Sequence, residues 1–328
     1  MTPPLPPAIC VLGMGLIGGS LLRATGERLS VSGWSPSEGT RAAATAGGFL
    51  AHAELEEALA WAVRYDALVV LAAPLTAFDT LLRKITRYAP EVLLTDVGSV
   101  KSGVAQQVSA IVPRARYIGG HPMAGTAESG FAAADARLFA DAAWVTCLDD
   151  GSRMETWDLV AGLALAVGSR VVPCTAIDHD LAVARVSHLP HLLALALAQV
   201  AELGGPLALS LAAGSFTDGT RVAGTRPELL RAMLESNREP LVDAADDALG
   251  ILGVARASLA STGSLERIST GGHAAREGYN HRNDGLTEFE LVDPTAADLI
   301  AIGAAGGHLT ELTRTDTGRT VRGLSHPA

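Results

Sequence analysis

Three histidines stand in contexts where side-chain packing gives little reason for an imidazole. His121 lies between two small or rigid neighbours in the string GGHPMAGTAESG at residues 119–130. His188 and His191 lie three residues apart in SHLPHLL, so they share one face of a helix. A neutral imidazole can take a proton from a hydroxyl near neutral pH, which makes His121 a candidate general base.

The two helical histidines allow three interpretations. They could bind a substrate, they could ligate a metal together with His179 or Asp180, or they could have a structural role beside the kink expected at Pro190. Metal sites usually recur with a recognisable ligand spacing, and no further ligand follows such a spacing here. We therefore predict no metal site and leave the substrate-binding and structural interpretations open.

Two other polar residues have both a chemical and a structural interpretation. Arg221 follows a Gly/Ser/Thr-rich stretch, SFTDGTRVA, and could be a surface residue or a bidentate clamp for a carboxylate. Ser99 and Lys101 belong to the string DVGSVK, where either residue could simply cap the helix that follows. The residues alone leave both questions open.

A glycine motif near the start of the chain predicts a site for a dinucleotide. Gly13, Gly15 and Gly18 form GxGxxG, with Leu16 and Ile17 between the last two, directly after an apolar strand and at the start of a helix. The first glycine permits a tight turn, the second lets a pyrophosphate approach the helix N-terminus, and the third lets helix and strand pack closely.

The end of the second strand bears on the choice between NAD and NADP. An acidic residue there usually binds the adenosine ribose and repels a 2′-phosphate, but this chain has Ser35. Arg41 is the nearest arginine that could attract the phosphate, and it does not follow at once. Selection is therefore expected to be weak in both directions, with both cofactors used within roughly tenfold in kcat/KM.

The order of apolar runs and helical stretches predicts how these residues are brought together. Strand and helix alternate over residues 1–173, which indicates a doubly wound parallel sheet of the Rossmann type. Ligands bind beyond the carboxyl ends of such strands, so Pro74, Ser99 and His121 should border the glycine loop.

The second half of the chain differs from the first in composition and in predicted secondary structure. Residues 174–280 are rich in Ala and Leu and read as an all-helical domain whose helices are apolar on more than one face. Apolar faces of this kind must be buried against another protein surface, which favours a homodimer formed through these helices. Residues 281–328 are expected to form a short C-terminal extension with one strand and one helix.

Composition excludes several classes of protein. The chain has 328 residues and a net charge of −10, with scattered arginines, so no basic stripe suits a nucleic acid. Its three cysteines are far apart, which predicts neither disulfides nor zinc and favours a reducing cytoplasm. No uninterrupted apolar run suggests a membrane span, so the expected ligands are small molecules.

Taken together, five strings resemble the prephenate/arogenate dehydrogenase family of tyrosine biosynthesis. They are GMGLIGGSLL, TDVGSVK, GGHPMAGT, SHLPHLL and FTDGTRVAGT, and they occur in that order within residues 8–280. The resemblance implies an NAD- or NADP-dependent prephenate dehydrogenase that couples hydride transfer to loss of carbon dioxide. Arogenate dehydrogenase, which acts on the amino analogue, is the alternative that the resemblance implies.

The resemblance also implies roles for individual residues. His121 would accept the proton of the ring hydroxyl, and Ser99 would hydrogen-bond His121 or that hydroxyl. Arg221 would bind one substrate carboxylate, while His191, with or without His188, would hold the other end of the substrate. The glycine motif, Ser35 and Pro74 would contact the cofactor.

Two departures from the family pattern touch the substrate pocket and leave the choice of substrate open. Some members carry Glu where this chain has Ala127, with Glu128 one residue further on, and many carry Trp in a stretch where this chain has Leu230. The 48 residues after position 280 are also short for the regulatory ACT domain of some members. Feedback inhibition by tyrosine therefore cannot be assumed from the sequence.

Two other classes of protein compete with this interpretation. A β-hydroxyacid dehydrogenase or imine reductase would place a catalytic lysine in the helical half, but residues 178–265 contain no lysine. A dinucleotide-sensing regulatory protein would not need His121, Ser99 and Arg221 together.

Overall fold

The first half of the chain forms a six-stranded parallel sheet in the computed structural model, which describes residues 3–126, 128–316 and 318–327. The strand order is β3-β2-β1-β4-β5-β6, so the doubly wound parallel sheet predicted from the sequence is confirmed. Its middle strands are buried along their whole length, as their unbroken apolar runs require. The strands are β1 (Ala8–Leu12), β2 (Ser30–Trp34), β3 (Leu50–His52), β4 (Leu68–Leu71), β5 (Leu93–Asp96) and β6 (Arg116–Ile118).

Five helices connect these strands and cover the sheet. In the fourth, Phe78, Leu81, Leu82 and Ile85 follow helical spacing and are buried, because together they form one apolar face. Right-handed strand–helix–strand connections then bring the carboxyl ends of β1, β4 and β5 to one edge of the sheet. The helices are α1 (Leu16–Thr25), α2 (Glu38–Ala46), α3 (Leu55–Arg64), α4 (Phe78–Tyr88) and α5 (Ser102–Ile111).

A second sheet begins directly after β6. The sequence pattern suggested that residues 143–148 and 170–172 continue the first sheet, but they form strands of a separate sheet. The chain turns at Gly119, and the strand that carries His121 pairs antiparallel with residues 144–146. His121 therefore lies in a short strand rather than in the loop that was expected. The new elements are β7 (Gly120–Pro122), β8 (Ala143–Cys147), α6 (Met154–Ala166) and β9 (Arg170–Cys174).

The region from residue 176 to residue 280 is helical, as predicted. A π-helical turn, Ala184–His188, joins the first two of its helices and includes one of the histidines singled out above. Pro190 lies two residues after this turn, inside the continuous helix Ala176–Leu203, so the irregularity expected at Pro190 takes the form of the π-helical turn that precedes it. The helices are α7 (Ala176–Val183), α8 (Leu189–Leu203), α9 (Gly205–Ser210), α10 (Gly214–Thr220), α11 (Pro227–Ser236), α12 (Arg238–Ser261) and α13 (Glu266–Asn280).

The C-terminal segment completes the second sheet. It contributes β10 (Thr287–Val292), α14 (Ala296–Ala304), β11 (His308–Thr315) and β12 (Gly318–Ser325), in the sheet order β10-β12-β11-β9-β8-β7. Asp158 of α6 is fully buried and accepts hydrogen bonds from Arg314 (2.5 Å, Nη1 to Oδ2) and Arg319 (2.8 Å, Nη2 to Oδ2). The segment 281–328, expected to hold one strand and one helix, thus holds three strands and one helix in its described residues, and it packs against α6.

The helical region leaves much apolar surface in contact with solvent. Leu203 and Leu207 are 88% and 71% exposed, and α12 carries further exposed Leu, Ile and Val side chains. The continuous helix Ala176–Leu203 is long and apolar enough, by length and composition, to cross a membrane. Its first half, however, holds buried and hydrogen-bonded His179 and Asp180, which pack against protein. The exposed apolar faces therefore fit a protein partner better than lipid.

Candidate active site

The glycine loop has the shape that a bound pyrophosphate requires. Gly13 has φ of +110°, and a Cβ there would lie 2.6 Å from the Ala72 carbonyl carbon, so only glycine fits. Gly15 precedes the first residue of α1 without any side-chain cap, and the space that its Cβ would fill is open. A Cβ at Gly18 would overlap the Gly13 carbonyl oxygen. The uncapped helix N-terminus therefore suits an anion.

The other residues predicted to contact the cofactor border this loop. Leu16 and Ile17 open α1 and are partly exposed, and Pro74 is exposed directly after the Ala72–Ala73 segment that faces Gly13. Gly13 N donates a 2.8 Å hydrogen bond to the Trp34 carbonyl at the end of β2. The glycine loop and the end of β2 are thus adjacent, as in a dinucleotide site.

Ser35, which follows β2, is buried and does not cap the next helix. Its hydroxyl accepts a hydrogen bond from Ser37 N at 3.3 Å, and Ser37 is the residue whose hydroxyl caps α2 at Thr40 N. The Arg41 side chain folds back onto this turn and donates a 2.7 Å hydrogen bond from Nη1 to the Ser35 carbonyl. An arginine therefore does lie at the end of β2, although it comes six residues later in the sequence.

The candidate base, His121, is the first member of a chain of buried side chains. Its Nδ1 lies 2.8 Å from Nε2 of His179, and Nδ1 of His179 lies 2.8 Å from Oδ1 of Asp180. His179 and Asp180 are 2% and 3% exposed. Because α7 begins directly after β9, its second turn lies against β7 and links the two histidines.

Asp180 is held by the N-terminus of α5. Its two carboxylate oxygens accept hydrogen bonds from Lys101 N and Ser102 N, both at 2.8 Å. Burial raises the pKa of the Asp180 carboxyl, but the hydrogen bonds from His179 and from these two amides outweigh it and lower the pKa overall. The helix N-terminus therefore keeps Asp180 ionised and fixes its position.

This arrangement determines which ring nitrogens carry protons. The Asp180 carboxylate can only accept, so His179 Nδ1 must donate to it, and neutral His179 then has an unprotonated Nε2. That nitrogen accepts from His121 Nδ1–H, which leaves His121 Nε2 with its lone pair. Nε2 has no hydrogen-bond partner within the described residues, and the His121 ring is partly exposed. The geometry thus presents His121 as a base.

The electrostatic environment favours the neutral form of His121. Burial, with smaller contributions from His179, Lys101 and His188, holds the pKa of His121 well below its ordinary value of 6.5. An imidazole with a lowered pKa is unprotonated at neutral pH and is available to accept a proton.

A buried lysine supports the strand that carries His121. Lys101 Nζ donates to the Gly120 carbonyl at 2.7 Å and pairs with the buried carboxylate of Asp96 at the end of β5. Tyr117 OH donates to the other oxygen of Asp96 at 2.6 Å. Burial, followed by the charge of Asp96, raises the pKa of Tyr117 well above 10, so the phenol stays protonated. Lys101 therefore holds the strand of His121 through its side chain, and it binds Asp180 through its backbone N–H at the start of α5.

His188 and His191 have different surroundings although they share a helix. His188 is fully buried, and its Nδ1 lies 3.0 Å from Asn237 Nδ2, which also donates to the Asp180 carbonyl at 2.8 Å. Burial lowers the pKa of His188 to about 4. His191 is partly exposed, and its Nδ1 lies 2.7 Å from the Ser187 carbonyl, so Nε2 is left as an acceptor. The described residues hold no cluster of three side chains suited to a metal ion.

Two predicted site residues, Ser99 and Arg221, make fewer contacts with the rest of the site than the sequence suggested. Ser99 is partly exposed on the rim, but within the described residues its hydroxyl forms no hydrogen bond, and the partner of His121 Nδ1 is His179. Arg221 is exposed at the start of the turn Arg221–Gly224, which packs against α8, the helix of His191. Ala127 lies outside the described residues.

Sequence reasoning missed the roles of four residues: His179, Asp180, Lys101 and Asn237. The first two were weighed only as metal ligands. The available signal was the dipeptide His179-Asp180 close behind a strand, since buried histidines need a partner. Asn237 gave no such signal, because it is 49 residues from His188 in the chain.

The fold and the glycine loop define a Rossmann-type dinucleotide-binding protein with a helical region after the first domain. Sequence models of two domains match the chain: the prephenate dehydrogenase nucleotide-binding domain over residues 18–173 and the prephenate dehydrogenase dimerization domain over residues 175–262. The chain belongs to the prephenate/arogenate dehydrogenase family, which confirms the resemblance seen in the sequence.

Individual relatives agree with this assignment. A prephenate dehydrogenase of Bacillus subtilis is 30% identical over 250 residues, which cover 73% of this chain and 66% of that protein. The chain thus spans just under two thirds of that relative. A Corynebacterium glutamicum structure, named as a candidate prephenate dehydrogenase, is 47% identical with a TM-score of 0.82, covering 85% of this chain and 90% of that one. Synechocystis arogenate dehydrogenase is 29% identical with a TM-score of 0.70, covering 83% and 99%.

Proposed function

We propose that this chain is a prephenate dehydrogenase that converts prephenate to 4-hydroxyphenylpyruvate with NAD or NADP. The substrate is a cyclohexadienol that carries one carboxylate on the ring and one on its side chain. The observation that carries the proposal is the chain of hydrogen bonds from His121 through His179 to Asp180, in which the strand of His121 lies against β5, a strand of the sheet that carries the glycine loop. A hydroxyl facing His121 would meet a neutral base whose tautomer is fixed.

The chemistry follows from the properties of that base. Bound nicotinamide supplies the acceptor for the hydride that leaves the carbon bearing the ring hydroxyl. His121 Nε2 takes the hydroxyl proton, so a carbonyl forms at that carbon. The bond from the ring to its carboxylate then breaks, carbon dioxide leaves, and the electron pair makes the ring aromatic. The proton held by His121 returns to the phenolate oxygen, which completes the balance.

The remaining predicted residues are proposed to hold the substrate. Ser99 would hydrogen-bond the ring hydroxyl, because His121 Nδ1 is already bonded to His179. His191 Nε2 and the buried His188 would face the far end of the substrate. Nε2 of His188 is buried without a hydrogen-bond partner among the described residues, which suits a polar group of a ligand. Arg221 would bind a carboxylate when its turn closes on the bound substrate.

The glycine loop is proposed to hold the cofactor. Backbone N–H groups at Gly15, Leu16 and Ile17 would bind the pyrophosphate, since the N-terminus of α1 has no other cap. Pro74 would line the nicotinamide side of the loop, and Ser35 would lie near the adenosine ribose.

We further propose a division into residues 1–173 for the cofactor, 174–280 for substrate and dimerisation, and 281–328 as the C-terminal segment. The exposed apolar side chains of α8, α9 and α12 would be covered in a homodimer, in keeping with the dimerization-domain match. A soluble, cytoplasmic enzyme without a nucleic-acid or membrane partner fits the acidic composition.

Arogenate dehydrogenase is the second candidate. The ring chemistry is the same, and the likeness to Synechocystis arogenate dehydrogenase favours it. The two substrates differ only in a keto or amino group on the side chain, far from the hydroxyl that His121 would face.

The test is turnover by the purified protein. We expect prephenate to produce reduced nicotinamide and carbon dioxide in equal amounts, with 4-hydroxyphenylpyruvate as the product. Arogenate is supplied in a parallel reaction, and a 3-hydroxyacid such as 3-hydroxyisobutyrate serves as the control for a general dehydrogenase. Turnover of arogenate alone would replace the first candidate by the second, while no turnover of either cyclohexadienol would refute both.

A further inference from the structure

The end of β2 lacks the group that selects NAD. Ser35 occupies the position where a carboxylate would bond the ribose hydroxyls and repel a phosphate, and its own hydroxyl is bonded to Ser37 N. The nearest acid, Glu38, is exposed and lies in the first turn of α2. Nothing at the end of the strand itself therefore excludes a 2′-phosphate.

Arg41 places a positive charge at the same point. Side chains on a helix point towards its N-terminus, so an arginine in the first turns of α2 can reach back over the preceding turn. Arg41 does so, because its Nη1 donates to the Ser35 carbonyl at 2.7 Å. Ser35 directly follows Trp34, whose carbonyl accepts from Gly13 N at 2.8 Å. The guanidinium is thus one residue from the strand end that touches the glycine loop.

The guanidinium has capacity for a further ligand. Among the described residues, the bond to Ser35 is the only hydrogen bond of the Arg41 side chain, and no carboxylate pairs with it. Most of its N–H donors therefore remain available, in the planar arrangement that matches phosphate oxygens. Arg83 in α4, by contrast, is already paired with Asp79.

We propose that Arg41 forms a subsite for the 2′-phosphate of NADP, so that this enzyme prefers NADP to NAD. The bond to Ser35 holds the guanidinium beside the ribose, and the N-terminus of α2, capped by Ser37, adds a favourable dipole. The inference rests on the proposed use of a nicotinamide cofactor. It revises the expectation from sequence that the two cofactors are used almost equally, because the fold brings Arg41 back to Ser35.

The test measures binding without any substrate. NADPH and NADH are titrated into the wild type, Arg41→Ala and Arg41→Lys, with nicotinamide fluorescence as the readout. We expect the wild type to bind NADPH at least tenfold more tightly. Loss of charge-assisted hydrogen bonds should weaken NADPH binding by roughly 10- to 100-fold in Arg41→Ala and leave NADH within about twofold. Arg41→Lys should fall between, because lysine keeps the charge but not the planar donors.

Arg28 offers a matched control. It is exposed and donates a 2.7 Å hydrogen bond from Nη1 to the Ala166 carbonyl, but it precedes β2 rather than following it. Arg28→Ala should change neither affinity. Displacement of NADPH by 2′,5′-ADP but not by 5′-AMP would show that the 2′-phosphate is the group recognised.

The outcomes separate this inference from the proposed function. Wild type that binds NADH as tightly as NADPH, or an Arg41→Ala variant that weakens both equally, would overturn the role of Arg41 and leave the dehydrogenase proposal intact. If neither nucleotide binds to the wild type, the proposed function itself fails.

Discussion

Replacement of Asp180 by asparagine tests how the base is set up. Asp180 accepts from His179, from Lys101 N and from Ser102 N with its two oxygens, whereas an asparagine has one oxygen and one NH₂ group. If the amide oxygen faced His179 and Lys101 N, the NH₂ group would meet the Ser102 N–H. In the reverse orientation the NH₂ group would donate to His179 Nδ1 but would meet the Lys101 N–H, because Oδ1 accepts from both groups. Either orientation therefore removes the carboxylate charge and sets the NH₂ group against a backbone N–H.

The consequence passes along the chain to His121. In the reverse orientation His179 Nδ1 must accept, so the proton moves to Nε2 and is donated to His121 Nδ1, and His121 carries its own proton on Nε2, where the substrate hydroxyl would need a base. In the first orientation the tautomers are kept, but the carboxylate that would stabilise the positive charge formed on His121 is lost. Positioned base catalysis contributes on the order of 10²–10⁴ in rate, and we expect kcat to fall by that factor, about 3 to 5 kcal/mol in the barrier.

The assay compares kcat with substrate and cofactor binding. KM and the dissociation constant of the reduced cofactor should stay within about threefold, because Asp180 touches neither ligand. Asp158→Asn is the matched control, since Asp158 is an equally buried, ion-paired carboxylate in α6 that serves the C-terminal segment. It should reduce stability but not kcat. A folded Asp180→Asn enzyme with wild-type kcat would refute the role of the Asp180 carboxylate in setting up the base.

Replacement of His179 shows whether this residue orients the His121 ring by a hydrogen bond or only fills space beside it. Gln can still accept the His121 Nδ1–H through its amide oxygen, whereas Leu cannot. We expect His179→Gln to retain at least tenfold more activity than His179→Leu, with the acid limb of the kcat/KM profile still below pH 6.5 because burial lowers the pKa of His121. Equal activity of the two variants would show that His179 only fills space.

Three further predictions concern stability, substrate binding and assembly. The folded-state pKa of His188 is about 4, below the ordinary 6.5, so its contribution to stability is present above pH 6.5 and is lost as the pH falls towards 4. Urea unfolding at pH 7 and pH 5 should show a loss of about 2 kcal/mol, and His188→Gln should reduce it. Arg221→Ala should raise KM by roughly tenfold or more without changing cofactor affinity, and an unchanged KM would leave Arg221 as a surface residue. Light scattering should give twice the chain mass of 33.7 kDa, and a monomer at micromolar concentration would contradict the homodimer.

The first sheet could be predicted from the sequence because its apolar runs and its glycine spacing indicated the same fold. The strand β4 is an unbroken apolar run that only a doubly buried strand explains, and the glycines near β1 have spacing that a turn and a helix N-terminus require. Strand–helix alternation then indicated that the glycine loop and the carboxyl ends of β4 and β5 share one edge of this sheet.

The second sheet could not be predicted in the same way. Its strands β8 and β9 look like the parallel strands before them, while β11, the second partner of β9, comes from the end of the chain. Register between segments more than 130 residues apart depends on tertiary packing, such as Leu309 opposite Val171. The strand that carries His121 has only three residues, two of them Gly120 and Pro122, so its local sequence indicated a loop.

The same limit applies to the site. His121 was identifiable from its neighbours in sequence, but its partner His179 is 58 residues away and is brought near by the step from β9 to α7. Arg41 was judged too far from Ser35 because the separation was counted along the chain. Helix geometry shortens it to one hydrogen bond.

The most direct test of the account is the turnover of prephenate by His121→Asn beside the wild type. The account predicts that the wild type forms 4-hydroxyphenylpyruvate, and that the variant binds the reduced cofactor normally but loses roughly 10²–10⁴ in kcat at neutral pH. A variant that turns over prephenate at the wild-type rate would contradict the role of His121 as the base.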